Sequence, residues 1–326
     1  MKHLFIGGTG NISADCTHEA LRSGHEVWHI NRGNRGDIPG VRTILIDAKD
    51  EAAVAAALGD ETFDTVTDFI AFTPNDIERD IRLYSGRTRQ FVFISSASAY
   101  HKPVRHYRIV ESTPLHNPFW DYARNKIACE DRLVAEYRAN GFPATIVRPS
   151  HTYSDGWLPS SFGSRDYTVA ARILADKPIV VHGDGRSLWT LTHTEDFARA
   201  FVPLLGHPRT VGEAYHITSD EVLDWDAIHL TIAEALGREA HLVHIPSDFI
   251  AERDPARGAG LLGDKSYSVV FDNTKIRSLV PGWTARIPFH EGVAHSLAWW
   301  DARPDAKKSD PALEAEIEAI LSAWKQ

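Results

Sequence analysis

Tyr122 and Lys126 are four residues apart in a stretch of helix-forming residues, a spacing that places two side chains on one face of a helix. The ammonium group of Lys126 is therefore expected one turn from the phenol of Tyr122. A nearby positive charge favours phenolate and lowers the pKa of a tyrosine from its usual value of about 10. Such a phenol can exchange a proton with a hydroxyl or carbonyl oxygen.

Serine residues precede this pair by about 25 residues, directly after the apolar run 90–95, which predicts a strand. A hydroxyl at the end of that strand can orient the same substrate oxygen as Tyr122. Ser96 is the predicted third member of the catalytic set. Ser98 is the alternative, because residues two apart in an extended segment point to the same side.

A glycine-rich turn, Gly7-Gly8-Thr9-Gly10, lies between the first predicted strand and the first predicted helix. Glycines here allow a tight turn and a close backbone approach to a pyrophosphate at a helix N-terminus. The third glycine of the usual spacing is replaced by Ser13, which is small enough to keep the helix close to the strand. The predicted dinucleotide contacts in this segment are Gly7, Thr9, Gly10, Asn11 and Ile12.

The second predicted strand ends at Asn31, where an acidic residue would favour NAD by holding the ribose 2′-hydroxyl. Arg32 and Arg35 follow instead, and both can hold a 2′-phosphate through charge-assisted hydrogen bonds. The sequence thus predicts an NAD(P) cofactor with a preference for NADP. Asn31, Asp47 at the end of the third strand, and Ala71 are further predicted cofactor contacts. Lys126 is predicted to hold the ribose hydroxyls of the cofactor as well.

These motifs must be positioned by an α/β fold, because short apolar runs alternate with helical patterns through the first half of the chain. Strands are predicted at 3–7, 25–31, 43–47, 65–69, 90–95 and 144–148, with helices at 13–23, 50–58, 75–83 and 122–140. We expect a Rossmann-like, doubly wound parallel sheet over residues 1–160. Residues 161–326 are predicted to form a smaller α/β substrate lobe, with some elements returning to the first domain.

The composition limits the classes of partner. The chain of 326 residues carries 35 Lys and Arg against 44 Asp and Glu, a net charge of −9 that argues against a nucleic-acid binder. It has two cysteines and no apolar run long enough to span a membrane, so a cytoplasmic protein without disulfides is expected. No metal site is predicted, because the His and Asp residues form no set of three convergent ligands at helical spacing.

The chain resembles the extended short-chain dehydrogenase/reductase superfamily, in its NAD-dependent epimerase/dehydratase branch. The resemblance rests on the glycine turn, the serine segment Ser95–Tyr100, Tyr122-x-x-x-Lys126 and the strand-end segment Arg148–Tyr153. It implies that Tyr122 is the acid–base, Lys126 its electrostatic partner and Ser96 the third member. It also implies a homodimer formed through the helices at 75–83 and 122–140.

Two reaction classes stay open on this resemblance. Ala97 and Ser98 stand where 4,6-dehydratases carry an acidic pair, and neither can act as a general acid near neutral pH, so a dehydratase is disfavoured. A 4-epimerase or a net oxidation or reduction of a hydroxyl or carbonyl carbon remains. The substrate is expected to be a nucleotide sugar or a related polyol, and Arg32 favours a reductase that uses NADPH.

A catalytically silent relative that binds the dinucleotide, as a regulatory or RNA-associated module, is the alternative class. The intact pair of Tyr122 and Lys126 and the negative net charge favour an enzyme. Substrate contacts are expected from loops that border the lobe, where arginines can meet a diphosphate and an indole can stack on a base or sugar. The predicted substrate residues are Ser98, His151, Tyr153, Arg165, Arg186 and Trp189.

Overall fold

The structure is a computed structural model that describes residues 1–163 and 165–325. The strands in chain order are β1 Lys2–Ile6, β2 Glu26–Asn31, β3 Arg42–Leu45, β4 Thr65–Asp68, β5 Phe91–Ile94, β6 Arg108–Ile109, β7 Ala144–Pro149, β8 His151–Tyr153, β9 Ile179–His182, β10 Leu188–Trp189, β11 Leu191–His193, β12 Ala214–Ile217, β13 Leu223–Asp224, β14 Leu242–Ile245 and β15 Val270–Phe271. The helices are α1 Asn11–Arg22, α2 Glu51–Leu58, α3 Pro74–Tyr84, α4 Asp121–Asn140, α5 Thr168–Leu174, α6 Thr194–Leu204, α7 Trp225–Ala235, α8 Ser247–Arg253, α9 Pro255–Gly260, α10 Thr274–Leu279, α11 Phe289–Asp301 and α12 Pro311–Trp324.

The main sheet has seven parallel strands in the order β12-β7-β5-β4-β1-β2-β3, which confirms the predicted doubly wound α/β fold. Strand β1 is central, and its last residue, Ile6, pairs with Ile30 on one side and Asp68 on the other. The chain reverses the direction of sheet growth between β3 and β4. A crevice opens above the carboxyl ends of β1 and β4 at such a switch point, where open α/β sheets bind their ligands.

Helices cover both faces of this sheet. One apolar cluster joins α1 and α6 to the sheet and contains Cys16 and Phe201, and the other joins α2, α3 and α4 and contains Cys129 and Leu133. The strands are buried on both faces, as expected from their nearly continuous apolar runs. Both cysteines are buried and unpaired, on opposite sides of the sheet.

A smaller lobe follows β7 and lies over the carboxyl ends of the strands. It contains the parallel pairs β8 with β11 and β9 with β14, and its apolar core includes Trp189, Trp225 and Trp300. Helix α6 and strand β12 return from this half of the chain to the main sheet. In the described part of the chain, no helix is both long enough and apolar enough to cross a membrane.

Candidate active site

The glycine turn leads from β1 into α1 and forms one end of the crevice. Gly7 has φ +78°, and a Cβ atom there would lie 2.6 Å from Cγ2 of Ile70, so both the conformation and the space require glycine. A Cβ on Gly8 would lie 2.3 Å from the ring of His29. The turn therefore presents the N-terminus of the 12-residue helix α1 to the crevice, which suits a pyrophosphate.

Ser13 closes this turn. Its hydroxyl accepts a hydrogen bond from the Gly10 amide at 2.7 Å and donates one to the Gly7 carbonyl at 2.6 Å. The side chain is 1% exposed. The serine that replaces the usual third glycine thus fits against the strand and also stabilises the turn.

Asn11 links the glycine turn to the lobe. Its side-chain amide donates to the Thr152 carbonyl at 2.9 Å, and its oxygen accepts from the Ser154 hydroxyl at 2.5 Å. The side chain of Asn11 is therefore engaged within the protein. Its predicted contact with a dinucleotide is available through the backbone of the first helical turn.

One cavity, here called the nucleotide groove, runs from the glycine turn across the end of β2. Arg35 donates to the Thr9 carbonyl at 2.9 Å, which holds its guanidinium beside the turn. Arg32 is exposed, and Asp47 accepts from the amide of Lys49 at 3.0 Å. The predicted cofactor residues that line this groove are Gly7, Thr9, Gly10, Asn31, Arg32, Arg35 and Asp47.

A second cavity, the reaction groove, continues from the turn to helix α4. It is lined by Gly10 and Ile12 at one end and by Ser96, Tyr122 and Lys126 at the other. The two grooves share Gly7, Gly10 and Arg35, so they form one continuous cleft. A dinucleotide fits this arrangement, because the phosphate turn and the predicted catalytic side chains lie along the same cleft.

Lys126 is held at the floor of the reaction groove. Its ammonium group donates to the carbonyl oxygens of Ala71 and Ile94, both at 2.7 Å, and burial lowers its pKa to about 8. Ala71 is fully buried and does not line either groove, so its direct contact with the cofactor stays a prediction. Its carbonyl instead positions Lys126, whose third N–H remains for the cleft.

Tyr122 lines both the reaction groove and the substrate cavity. The sequence predicted a lowered phenol pKa, and this is wrong: burial raises the pKa of Tyr122, and the nearby Ser96 hydroxyl only partly opposes that effect. The ammonium nitrogen of Lys126 lies 5.8 Å from the ring centroid of Tyr122 and is engaged by two carbonyls. The phenol therefore keeps its proton at neutral pH.

The two candidate serines form one hydrogen-bonded unit after β5. Their hydroxyl oxygens are 2.9 Å apart, and the Ser98 amide donates to the Ser96 hydroxyl at 3.1 Å. Ser96 lines both the reaction groove and the substrate cavity, whereas Ser98 lines the substrate cavity and is almost fully buried. This placement favours Ser96 as the partner of Tyr122 and gives Ser98 a supporting position.

The third cavity, the substrate cavity, lies between Tyr122 and the lobe. Its volume of about 460 Å³ is in the range of small-molecule sites. Four of the predicted substrate residues line it: Ser98, His151, Arg165 and Trp189. His151 lies at its junction with the reaction groove, and burial lowers its pKa to about 3, so its ring is neutral.

Two predicted substrate residues are placed away from the substrate cavity. The Tyr153 ring is buried beneath the lobe, where it packs edge-on against His193 and Phe289. Arg186 is exposed on the lobe surface, and its guanidinium is paired with Asp224 at 2.8 Å. Neither side chain lines the substrate cavity, because Tyr153 points into the lobe core and Arg186 is held by the strand opposite it.

The sequence analysis missed a wall of this cavity formed by α9 and the π-helical turn Leu261–Lys265. Lys265 donates to the carbonyls of Ser160 and Ser161, and burial lowers its pKa to about 8. Asp264 lies 3.5 Å from the ammonium group of Lys102, and burial raises its pKa. The glycine-rich run from 258 to 263 was the only sequence signal for this wall.

Comparisons with known proteins agree with this geometry. Residues 4–218 match the family described as the NAD dependent epimerase/dehydratase family. The chain is 26% identical over 323 residues to 2'-dehydrokanamycin reductase of Streptomyces kanamyceticus, covering 98% of this chain and 90% of that protein. It is also 25% identical over 267 residues to the chloroplast stem-loop binding protein of 41 kDa b of Arabidopsis thaliana, covering 76% of this chain and 67% of that protein.

Solved structures share the fold at low sequence identity. An epimerase of Methanothermobacter thermautotrophicus superimposes with a TM-score of 0.76 at 16% identity, over 93% of each chain. The dTDP-glucose 4,6-dehydratase of Bacillus anthracis, in complex with NAD, gives 0.75 at 18% identity, over 94% of this chain and 98% of that one. Since the family match spans more than half of the chain and includes the glycine turn and helix α4, the chain belongs to the NAD-dependent epimerase/dehydratase family and is an enzyme of the extended short-chain dehydrogenase/reductase type.

Proposed function

We propose that this enzyme reduces a ketone carbon of a sugar-like substrate with NADPH, and that Tyr122 donates the proton. The observation that carries the proposal is the position of Tyr122 and Ser96, which line both the reaction groove and the substrate cavity. A substrate oxygen bound at that junction contacts both hydroxyl groups. The cofactor supplies the hydride when it is bound in the cleft.

The protonation state of Tyr122 favours the reductive direction. Because burial raises the pKa of the phenol, its proton is available at neutral pH for an oxygen that gains negative charge. Oxidation of an alcohol requires the phenolate, so that direction is expected to speed up as the pH rises. Ser96 donates or accepts a second hydrogen bond at the same oxygen and fixes its position.

Lys126 is proposed to hold the cofactor rather than to ionise Tyr122 directly. Two of its N–H groups are used by the carbonyls of Ala71 and Ile94, which fix the nitrogen at the floor of the reaction groove. The third N–H is available to ribose hydroxyls. Its positive charge also favours an anionic cofactor in the cleft.

A preference for NADPH is supported by the end of the nucleotide groove. Arg32 and Arg35 line it, and the residue at the end of β2 is Asn31 rather than an acid. A guanidinium can form paired hydrogen bonds with a phosphate, whereas a ribose hydroxyl gains little from it. Asp47 lines the same groove and is proposed to face the adenine.

The substrate is proposed to be a nucleotide sugar or a related polyol that carries an anionic group. Arg165, Arg257 and Lys265 line the substrate cavity, against the single carboxyl of Asp264 among its described lining residues. Arg257 is already paired with Glu316 at 2.7 Å, so Arg165 and Lys265 are the cations proposed to meet the substrate. Trp189 and Trp120 provide flat apolar walls beside them.

A 4,6-dehydratase remains disfavoured in this proposal, although dTDP-glucose 4,6-dehydratases are among the relatives. Ala97 and Ser98 line the cavity beside Ser96 and offer no acid for the expulsion of water. The carboxyl of Asp264 lies on the opposite element, against Lys102. A 4-epimerase uses the same Ser96, Tyr122 and Lys126 set and is the second candidate.

The expected assembly is a homodimer through α3 and α4, which pack side by side. Their outer face carries Arg132, paired with Glu78 and Glu136, so we propose a polar interface. Light scattering on the purified chain measures its mass in solution and tests the proposed homodimer. A mass equal to that of one chain would contradict the dimer. The cytoplasm is the proposed compartment, because both cysteines are unpaired.

The test uses the purified chain, NADPH or NADH, and a panel of keto sugars, 4-keto nucleotide sugars and the 2′-keto aminoglycoside that gives the kanamycin relative its name. We expect loss of reduced-nicotinamide absorbance with at least one ketone, and faster loss with NADPH. Interconversion of two nucleotide sugars with no net loss of reduced cofactor would contradict the reductase proposal and support the 4-epimerase. If the chain binds neither NADPH nor NADH, both candidate functions are contradicted.

A further inference from the structure

A group of three side chains that the proposed reaction does not use lies behind the glycine turn. Asp155 follows β8, His193 ends β11 and His295 lies on α11. One ligand atom from each lies within 4.8 Å of the other two. Strands β8 and β11 are parallel with Tyr153 paired to His193, and this register brings Asp155 beside the histidine.

His193 is the fixed member of this group. Its side chain is 1% exposed, and its Nε2 atom is buried without a hydrogen-bond partner among the described residues. The atom lies 3.5 Å from Oδ1 of Asp155. The rings of His193 and His295 are 6.0 Å apart and nearly perpendicular. A buried nitrogen without a hydrogen-bond partner, directed at a carboxylate and a second imidazole, matches the donor arrangement of a metal ligand.

We propose that Asp155, His193 and His295 bind a divalent transition-metal ion, with Zn²⁺ as the best match. Two imidazole nitrogens and one carboxylate oxygen form a donor set that zinc accepts, and solvent completes the coordination. Zinc bonds of about 2.0–2.2 Å require the three atoms to approach one another. Asp155 and His295 are exposed and can move, whereas His193 stays in place.

Among the three proposed ligands Asp155 supplies the carboxylate, and the charged residues around the group balance. Asp15 and Glu195 line the cavity next to it, as do Arg35 and Arg165. Metal binding through Nε2 requires the ring proton of His193 to be on Nδ1. The weak hydrogen bond of 3.3 Å that Nδ1 accepts from the Glu195 amide is then lost.

The proposed ion would join three separate parts of the chain. It would fix α11 of the lobe to the segment after β8, and that segment is bonded to the glycine turn through Ser154 and Asn11. The ion is therefore assigned a structural role that holds the lobe against the nucleotide-binding half. The sequence analysis predicted no metal site, because these ligands come from three elements and share no spacing.

The test measures zinc binding by isothermal titration of the untagged, chelator-treated chain against ZnCl₂, together with the melting temperature with and without zinc. His295→Ala and Asp155→Asn remove one ligand each. His290→Ala is the matched control, since His290 is an exposed histidine on the same helix. We expect one tight site in the wild type and the control, and at least about tenfold weaker binding in both ligand variants.

Zinc should also raise the melting temperature of the wild type and of His290→Ala but not of the ligand variants, because an ion that binds only the folded state stabilises it. Equal zinc affinity in the wild type and His295→Ala would overturn the proposal. So would the absence of any site in the wild type. Neither measurement uses turnover, so both outcomes are independent of the proposed reductase activity.

Discussion

Replacement of Ser13 tests whether the turn is built around serine or only tolerates it. Ser13→Ala removes the hydroxyl that bonds to both Gly10 and Gly7. At about 1 kcal/mol for each buried hydrogen bond, the free energy of unfolding should fall by ~2 kcal/mol. Ser13→Gly restores the usual glycine and loses the same two hydrogen bonds, and a glycine within a helix costs about 1 kcal/mol more. The free energy of unfolding of this variant should therefore fall by ~3 kcal/mol.

In a chain of this length each kcal/mol corresponds to about 2 °C in melting temperature. Thermal unfolding should therefore show decreases of ~4 °C for Ser13→Ala and ~6 °C for Ser13→Gly. Ala14→Gly, at the next position of the same helix, is the control for glycine alone and should cost ~2 °C. NADPH titrations by tryptophan quenching should show weaker binding in both Ser13 variants.

A Ser13→Gly variant that is as stable as the wild type would refute this reasoning. Tighter NADPH binding by that variant would show that the serine obstructs the phosphate site instead of supporting the turn. In either case the two hydrogen bonds of Ser13 would have to be treated as incidental.

Three further predictions concern charge. Arg32→Ala should weaken the binding of NADPH by about tenfold or more, because one charge-assisted hydrogen bond is lost, and should leave the binding of NADH unchanged. Equal losses of affinity for both cofactors would contradict the phosphate contact. The kcat/KM for NADPH should be constant below about pH 8 and fall above it, because Lys126 loses its charge there. A constant kcat/KM well above that pH would contradict the proposed role of the Lys126 charge in holding the cofactor. The free energy of unfolding should fall as the pH drops below 6.5, because several buried histidines have lowered pKa values and bind protons in the unfolded chain but not in the folded one. Each such histidine should cost ~1.4 kcal/mol per pH unit. An unchanged melting temperature between about pH 7 and 5 would contradict this prediction. These histidines are His3, His29, His151, His182 and His229, with folded pKa values of about 3, 4, 3, 3 and 4.

The parallel sheet and its helices could be predicted because burial on both faces leaves a nearly continuous apolar run in each strand. Only the structure shows that β12, from the second half of the chain, joins the edge of the main sheet. Helices α8 to α11 were missed. Their segments are short or interrupted by glycine and proline, and packing against the lobe stabilises them more than their own residue preferences do.

The residues proposed as catalytic could be selected from the sequence because the proposed chemistry depends on their types and spacing. The environment of each side chain could not be predicted in this way. Desolvation determines the pKa of Tyr122, and no sequence pattern reveals it. Tyr153 and Arg186 were predicted to contact the substrate because they are polar or aromatic residues in loops expected to border the lobe. Their side-chain directions follow from the packing of Tyr153 on Phe289 and the pairing of Arg186 with Asp224.

Turnover and cofactor binding by Tyr122→Phe together test the central claim most directly. The substitution removes only the phenol oxygen, so the reaction groove keeps its shape and the hydrogen bonds of Lys126 are retained. We predict that NADPH quenches the tryptophan emission of this variant with nearly wild-type affinity, while ketone reduction falls by at least about 100-fold, the usual contribution of a positioned acid. Wild-type turnover by Tyr122→Phe would contradict the account.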